Sequence, residues 1–272
     1  MANQASKPCI ILDKSALQGC TAEDLARFAT SYRILLPWVL FYEIATQETS
    51  APGDPDWTSY CRKLIKVRPI VCARRSVLIA EEQRICQPIR EIVHHADTAT
   101  LRTWLDVPID RWLTPPLFIE PAEYNLERQQ SVDWIRSNCR RIRSSPKVVT
   151  GIKGVPKLME EEDCSRERAF SLVLGKICPR RWKQLYARLP MLASRKSMSF
   201  MYFVLLNYCV LHSSVDDLSK VSDNNLFNRV LDLDYLLYLV AAGGIVSRDR
   251  RMREIAKGFF PNRLVFDGVR SV

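Results

Sequence analysis

The first fifty residues alternate between short apolar runs and stretches with helical spacing. Residues 8–12 form an apolar run that ends at Asp13, which predicts a buried strand of the kind found in parallel sheets. A capping-box pattern predicts a helix over 21–31. A second short strand is predicted over 33–36, and a helix with proline before it over 38–47. The order β-α-β-α favours a layered α/β domain.

The last fifty residues return to the same alternation. An apolar helix is predicted over 225–242, and the glycines at 243–244 predict a left-handed cap that ends it. A strand over 245–247, a helix over 249–258 and a final strand over 263–266 follow. The two ends of the chain are therefore predicted to be halves of one α/β domain.

The middle of the chain is predicted to be a mainly helical insertion over 50–225, between domain halves at 1–49 and 226–272. Two prolines and a glycine at its start are typical of a linker. Strand-like alternation is confined to 69–72 and 148–150. The candidate helices of this region are 57–66, 76–96, 120–144, 163–177, 180–188 and 195–212.

The composition is that of a globular protein with a basic surface. Hydrophobic residues make up 47% of the chain, which excludes disorder as its main state because a sizeable core can be buried. The net charge of +10 favours partners rich in phosphate or anionic membrane surfaces. Nine scattered cysteines without a CxxC pair, and no secretory leader pattern, predict reduced thiols in a cytoplasmic protein.

The most apolar segment, residues 198–211, is too short to span a bilayer, and no membrane association is predicted from it. A buried helix in the core of the insertion is the expected role. An interface between copies of the chain, which would make a homo-oligomer, is the alternative.

Five acidic residues stand near the ends of the predicted strands or in the helices beside them. Asp13 and Asp249 directly follow apolar strands, Glu43 lies one to two turns into a helix, and Asp232 and Asp234 lie in the apolar helix near the C-terminus. Sites in open α/β sheets form at the carboxyl ends of the strands. The sequence therefore predicts that these carboxylates gather at that edge, although each alone could be a turn or helix-capping residue.

These motifs resemble the PIN domain superfamily of nucleases. The family pattern is a strand ending in hhD-x-S, a helix with P-x-x-hhx-E, and an Asp-led helix followed by hhT/S-x-D. The resemblance covers residues 8–49 and 228–267. It implies a Rossmann-like, three-layer core with a parallel sheet, here carrying a long helical insertion. It also implies cleavage of RNA, more often than of DNA, with Mg²⁺ or Mn²⁺ as cofactor.

The same resemblance assigns roles to single residues. Asp13, Glu43 and Asp249 match the first, second and fourth acids of the family, and Asp232 matches the third by its spacing, with Asp234 as the alternative. Converging carboxylates need a counter-charge, and a hard divalent cation supplies one. Such a metal would activate water and offset the charge of the phosphate. A nuclease of this kind suits a toxin, a defence effector or an RNA-processing enzyme, with an inhibitory or targeting protein partner.

Hydroxyl and basic side chains complete the predicted site. Ser15 and Ser247 are expected to orient ligands or bind a phosphate oxygen, and Arg248 and Arg250 to hold a phosphate of the substrate strand. A basic run without acids, interleaved with aromatic residues, predicts a second contact to nucleic acid. Its candidate residues are Arg180, Arg181 and Lys183. The competing hypothesis is a catalytically inactive protein of the same fold that binds nucleic acid or acts as a scaffold.

Overall fold

A five-stranded sheet forms the centre of the computed structural model, which describes residues 7–45, 57–85, 92–107, 125–126, 129–137 and 221–271. Its strand order is β3-β2-β1-β4-β5, and every pair of neighbours runs parallel. The parallel sheet and its many helices confirm the α/β class. The strands are β1 (Cys9–Leu12), β2 (Arg33–Leu36), β3 (Ile70–Val71), β4 (Gly244–Val246) and β5 (Leu264–Phe266).

Helices connect the strands of the sheet. The helix over 21–31 is confirmed, since Thr21 and Asp24 form a complete capping box. The helices are α1 (Lys14–Gln18), α2 (Ala22–Ser31), α3 (Trp38–Ala45), α4 (Trp57–Leu64), α5 (Arg75–Ile85), α6 (His95–Leu105), α7 (Asp223–Leu237) and α8 (Arg250–Phe259). Short 3₁₀ turns follow at Tyr238–Val240 and Val269–Ser271.

Strand β1 lies in the middle of the core. Ile10, Ile11 and Leu12 are all completely buried although successive side chains of a strand point to opposite faces. Both faces of the sheet are therefore covered at β1, as expected for a parallel sheet, where strands read as continuous apolar runs. The register pairs Ile11 with Leu35 of β2 on one side and with Ile245 of β4 on the other.

The chain divides into two compact units. The first comprises residues 1–81, 89–120 and 234–272, and the second comprises 82–88 and 121–233. The first unit contains the whole sheet and extends beyond the predicted domain halves, because β3 pairs with β2 through Leu35–Ile70 and Leu36–Val71. The strand-like alternation over 69–72 therefore belongs to a strand of the central sheet and not to the insertion.

The prediction of one continuous helix over 76–96 is wrong. Helix α5 ends at Ile85, and α6 begins only at His95. Between them Val93 forms an antiparallel bridge with Cys72, and the amide of His94 donates to the carbonyl of Val71 at 2.9 Å. The backbone there extends because its polar groups pair with residues beside β3 rather than with a preceding helical turn.

The left-handed glycine cap predicted at 243–244 is also wrong. Gly268 is the residue with a positive φ among the described glycines, and Gly244 belongs to β4. Close packing explains the glycine instead. A Cβ atom on Gly244 would lie 2.3 Å from the carbonyl oxygen of Leu264 in the neighbouring strand β5.

Several predicted elements of the insertion lie outside the described residues. Residues 129–137 are helical, within the predicted helix 120–144. The predictions for 148–150, 163–177, 180–188 and 195–212 fall outside the described ranges. Within those ranges, none of the helices combines the length and the apolar character that a bilayer span requires. Cys9, Cys20, Cys61 and Cys72 are free thiols, as the sequence predicts.

Candidate functional site

Asp13 stands at the carboxyl end of the central strand β1. It directly precedes α1 in an extended conformation, and only 6% of its surface is exposed. Strands β1 and β4 are the neighbours at which the order of the sheet changes direction. Open α/β sheets bind ligands in the crevice at this position. The chain therefore buries a carboxyl group where the fold favours a site.

Two serine hydroxyls hold the Asp13 carboxylate. Ser15 on α1 and Ser247, just after β4, both donate to its Oδ2 atom, at 2.5 and 2.6 Å. The two serine oxygens lie 3.3 Å apart. Residues separated by more than 230 positions thus meet at one carboxylate oxygen, and they join the ends of β1 and β4.

Backbone amides complete the hydrogen bonding of both serines. The amides of Arg248 and Asp249 donate to Ser15 Oγ at 2.9 and 3.3 Å. The amide of Asp249 also donates to Ser247 Oγ at 3.1 Å. A hydroxyl has one hydrogen to donate and two lone pairs to accept. The bonds of Ser15 use this capacity fully, so its evident role is to fix Asp13 and the turn after β4.

Asp249 lies beside this cluster at the start of α8. Its Oδ1 atom accepts hydrogen bonds from the amides of Arg251 and Met252, at 2.7 and 3.1 Å, which makes it the N-cap of the helix. The residue is exposed, in contrast to Asp13. The cap fixes the direction of the carboxyl group while the group stays accessible from solvent.

Burial dominates the electrostatics of Asp13. It raises the pKa of Asp13 above the ordinary value for an aspartate, and the hydrogen bonds from Ser15 and Ser247 act in the opposite direction. A cation placed near the carboxylate would favour the ionised form and so lower the pKa of Asp13 again.

Glu43 projects from α3, the helix that follows β2. It is half-buried and accepts a hydrogen bond at Oε2 from the hydroxyl of Tyr235, which is itself 2% exposed. A second tyrosine of the same region, Tyr238, donates to the carbonyl of Ala73 at 2.7 Å. Sequence reasoning missed both tyrosines, since each partner lies more than 160 residues away in the chain.

The two candidates for the third acid differ in their surroundings. Asp234 is 5% exposed and belongs to the unit that contains the sheet. Asp232 is half-exposed and belongs to the second unit. Both lie in α7, as predicted for an acid-bearing apolar helix.

The predicted metal ion needs side-chain donors that converge on one point. No group of three or more His, Cys, Asp or Glu side chains in those ranges is arranged to hold a metal ion. Mg²⁺, however, is commonly bound by one or two carboxylates together with water and substrate phosphate. Asp13 and Asp249 carry hard oxygen donors of that kind, and hydrogen bonds through Ser15 and Ser247 connect the two residues. They are therefore the candidates to hold such an ion, which stays a prediction.

The arginines near Asp249 have different partners. Arg253 donates to the carbonyl of Ser247 at 2.9 Å and pairs with Asp267 at 2.7 Å, so it supports the fold after β4. Arg250 is highly exposed and lies 3.4 Å from Glu254 on the same helix. Arg248 lies against the end of α1. The other predicted substrate-binding residues, Arg180, Arg181 and Lys183, lie outside the described residues.

The resemblance to the PIN domain superfamily stays a prediction, beyond the confirmed α/β class. Function is therefore inferred from the geometry at the ends of β1 and β4. No model of a protein family, no curated protein and no solved structure matches this chain.

Proposed function

We propose that this protein is a metal-dependent nuclease that hydrolyses phosphodiester bonds, and specifically an endoribonuclease. The observation that carries the proposal is the buried Asp13 carboxylate at the carboxyl ends of β1 and β4, held by two serine hydroxyls and linked to Asp249. Burying a carboxylate is costly unless it is paired and hydrogen-bonded, and a buried group with a shifted pKa is a candidate for a functional site. The basic charge of the whole chain supports a polyanionic substrate.

Each residue of the cluster has a distinct role in this proposal. Asp13 and Asp249 would hold Mg²⁺ or Mn²⁺, and the ion would supply charge neutralisation of the phosphate and activation of water. Ser15 and Ser247 keep the Asp13 carboxylate in one orientation through their hydrogen bonds. Water is the nucleophile, so no side chain forms a covalent intermediate. Glu43 is the second acid of the resemblance, with Tyr235 orienting its carboxylate.

Cleavage of a labelled single-stranded RNA in Mn²⁺ tests the proposal. We expect Asp13→Asn and Asp249→Asn each to lower the rate by roughly 100-fold or more, since even groups that only orient metal ligands contribute about 10–100-fold. The matched control is Asp106→Asn, which removes the same charge from an exposed ion pair with Arg68. Arg68 precedes β3, so this pair lies at the amino edge of the sheet, away from Asp13. DNA of the same sequence is run in parallel, and faster cleavage of DNA would overturn the assignment to RNA.

Undiminished cleavage by both variants would reject the site. A loss of activity in the control equal to that in the two variants would show that folding, rather than chemistry, had been changed. Circular dichroism of each variant in the same buffer separates these results.

Two observations favour a second function. No three-ligand metal group exists among the described residues, and burial favours the neutral form of Asp13. Both features suit a catalytically inactive protein of this fold that binds nucleic acid. Calorimetric titration of Mn²⁺ distinguishes the two functions. Heat of binding that disappears in Asp13→Asn supports the nuclease, whereas RNA binding without metal binding or products supports the inactive protein.

A further inference from the structure

The side chain of Arg248 lies across Gly19 at the end of α1. A Cβ atom built on Gly19 would fall 2.1 Å from Arg248 Nη1 and 2.4 Å from its Cδ. The Arg248 Cγ atom also lies 3.5 Å from the Cβ position of Gly268. The arginine therefore uses space that two glycines leave open, which we call the glycine slot (Gly19 and Gly268).

The two glycines are present for different physical reasons. Gly268 has a φ of +79°, a conformation that side chains disfavour. Gly19 has a φ of −85° and a ψ of 4°, in the bridge region, which residues with side chains also adopt. The backbone thus does not require glycine at position 19. The space of a Cβ atom there is occupied by the Arg248 side chain, so a larger residue at position 19 would displace that side chain.

Capping of α1 does not explain the position of Arg248. The last carbonyls of α1 are already satisfied by Lys63, whose Nζ donates to Leu17 at 2.8 Å and to Gln18 at 3.2 Å. The guanidinium of Arg248 makes no ion pair with the described acids. By contrast, Arg253 and Arg250 both lie beside carboxylates. Within the described part of the chain, Arg248 is thus an exposed cation held in place without an anion to balance it.

The backbone of Arg248 connects this cation to the acidic cluster. Its amide donates to Ser15 Oγ, and Ser15 in turn donates to Asp13. The guanidinium therefore lies beside Gly19 at the end of α1, one side-chain length from the amide that contacts Ser15. A polymer with regularly spaced phosphates that enters the crevice would bring a neighbouring phosphate within reach of this arginine.

We propose that Arg248 binds a backbone phosphate flanking the scissile bond of a single-stranded RNA, and that Gly19 sets the position of its guanidinium. This inference rests on the proposed function and names the contact that holds the substrate beside the acids. Arginine binds phosphate through its planar fork of N–H donors. A guanidinium held in the glycine slot loses less freedom on binding than an unsupported side chain.

The test is the salt dependence of binding to a fluorescein-labelled single-stranded RNA, measured by anisotropy in EDTA so that no metal-dependent cleavage occurs. Arg248→Ala is expected to raise Kd roughly tenfold at low salt. The slope of log K against log salt should become less negative by about 0.7, the value for one phosphate contact to a single strand.

Gly19→Ala tests the slot without removing charge. The new methyl group displaces the guanidinium, so Kd should rise in the same direction with the net charge unchanged. Arg248→Ala combined with Gly19→Ala should bind like Arg248→Ala alone, because the arginine that Gly19 positions is then absent. Arg33→Ala is the matched control, since Arg33 is exposed at the amino end of β2, the opposite edge of the sheet.

The outcomes separate this inference from the proposed function. An unchanged slope in Arg248→Ala, or an equal change in Arg33→Ala, would overturn the contact even if cleavage still depends on Asp13. A reduced slope in Arg248→Ala supports the contact even if no cleavage is found. Independent effects of the two substitutions in the double variant would overturn the role of Gly19. Urea unfolding of each variant shows whether weaker binding comes from a less stable fold.

Discussion

Asp13 is the residue at which stability and function oppose one another most clearly. Its pKa is raised by burial, so the ionised side chain is less favourable in the folded protein than in the unfolded chain. Below the unfolded pKa of 3.8 the group is neutral in both states and has no such cost. The cost develops as the pH rises from the unfolded pKa toward the folded pKa, and it is complete above the folded value.

Asp13→Asn should therefore stabilise the protein at neutral pH while abolishing the proposed activity. In EDTA we expect a higher urea midpoint than in the wild type at pH 7, with the difference shrinking toward about pH 3 as Asp13 becomes neutral. Asp106→Asn, on an exposed ion pair, should change stability by less than about 1 kcal/mol. A lower midpoint for Asp13→Asn at pH 7 would contradict the electrostatic cost of burial.

Tyr235 is a positioning residue for Glu43 in the proposed reaction. Tyr235→Phe removes the hydroxyl that donates to the Glu43 carboxylate and leaves the ring in place. We expect kcat to fall by roughly tenfold with KM little changed, since the substitution disturbs an orienting partner and not the substrate contact. Steady-state kinetics on RNA measure this separation.

Tyr238→Phe is the control for the loss of a buried hydroxyl. Tyr238 donates to the carbonyl of Ala73, and both substitutions should destabilise the fold by about 1 kcal/mol. Only Tyr235→Phe should lower kcat. Equal losses of kcat in the two variants would assign the effect to stability and remove Tyr235 from the site.

At the scale of the elements, sequence patterns predicted those strands and helices whose formation depends on residues close together in the chain. The apolar runs before Asp13 and Asp249 are strands because they lie in a sheet covered on both faces at β1. The capping box at Thr21 needs only residues three apart, and it formed as predicted. The alternation over 69–72 indicated a strand, but nothing local to the two residues of β3 shows that it pairs with β2.

The sequence indicated the residues that follow the strands but not the contacts that support them, and the meeting of Glu43, Asp232 and Asp234 with Asp13 stays a prediction. Asp13, Ser15 and Ser247 follow strands, a position that the sequence can indicate. The roles of Tyr235 and Gly19 depend on Glu43 and Arg248, which are about 190 or more residues away and signal nothing locally. Long-range contacts of this kind need the fold before they can be recognised.

Gly244 is another residue whose role depends on a distant contact, and its substitution tests how closely β4 and β5 approach. A Cβ atom there would lie 2.3 Å from the Leu264 carbonyl oxygen and 2.7 Å from the Leu264 Cβ, so β4 and β5 would have to separate. We expect Gly244→Ala to destabilise the protein by about 1–3 kcal/mol in urea unfolding, the usual cost of overpacking. Gly243→Ala is the control, because its nearest contacts would be 3.3 Å. An equal or smaller loss for Gly244→Ala would mean that β4 and β5 do not approach as described.

At the scale of the whole molecule, the net charge of +10 comes from basic residues both in the unit that contains the sheet and in the rest of the chain. The question is which of these residues contribute to RNA binding. The basic run with Arg180, Arg181 and Lys183 lies outside the described residues, so its contribution is predicted from sequence alone. If this run binds the substrate at a distance from the acids, it should determine the affinity for RNA and leave the rate of the chemical step unchanged.

Replacing Arg180, Arg181 and Lys183 together by alanine separates these contributions. Because three cations that each bind one phosphate would be removed, the slope of log K against log salt for single-stranded RNA should become less negative by about 2. The kcat at saturating RNA should stay within about twofold of the wild type, because contacts present equally in the ground and transition states change KM alone.

A variant with the same number of charges removed elsewhere controls for general charge loss. Its substitutions are at Arg27, Arg33 and Arg62, on α2, β2 and α4. If both triple variants reduce the slope equally, RNA is held by the overall field of the protein. A slope reduced only by the first variant, with kcat preserved, indicates a separate binding surface that delivers RNA to the crevice between β1 and β4.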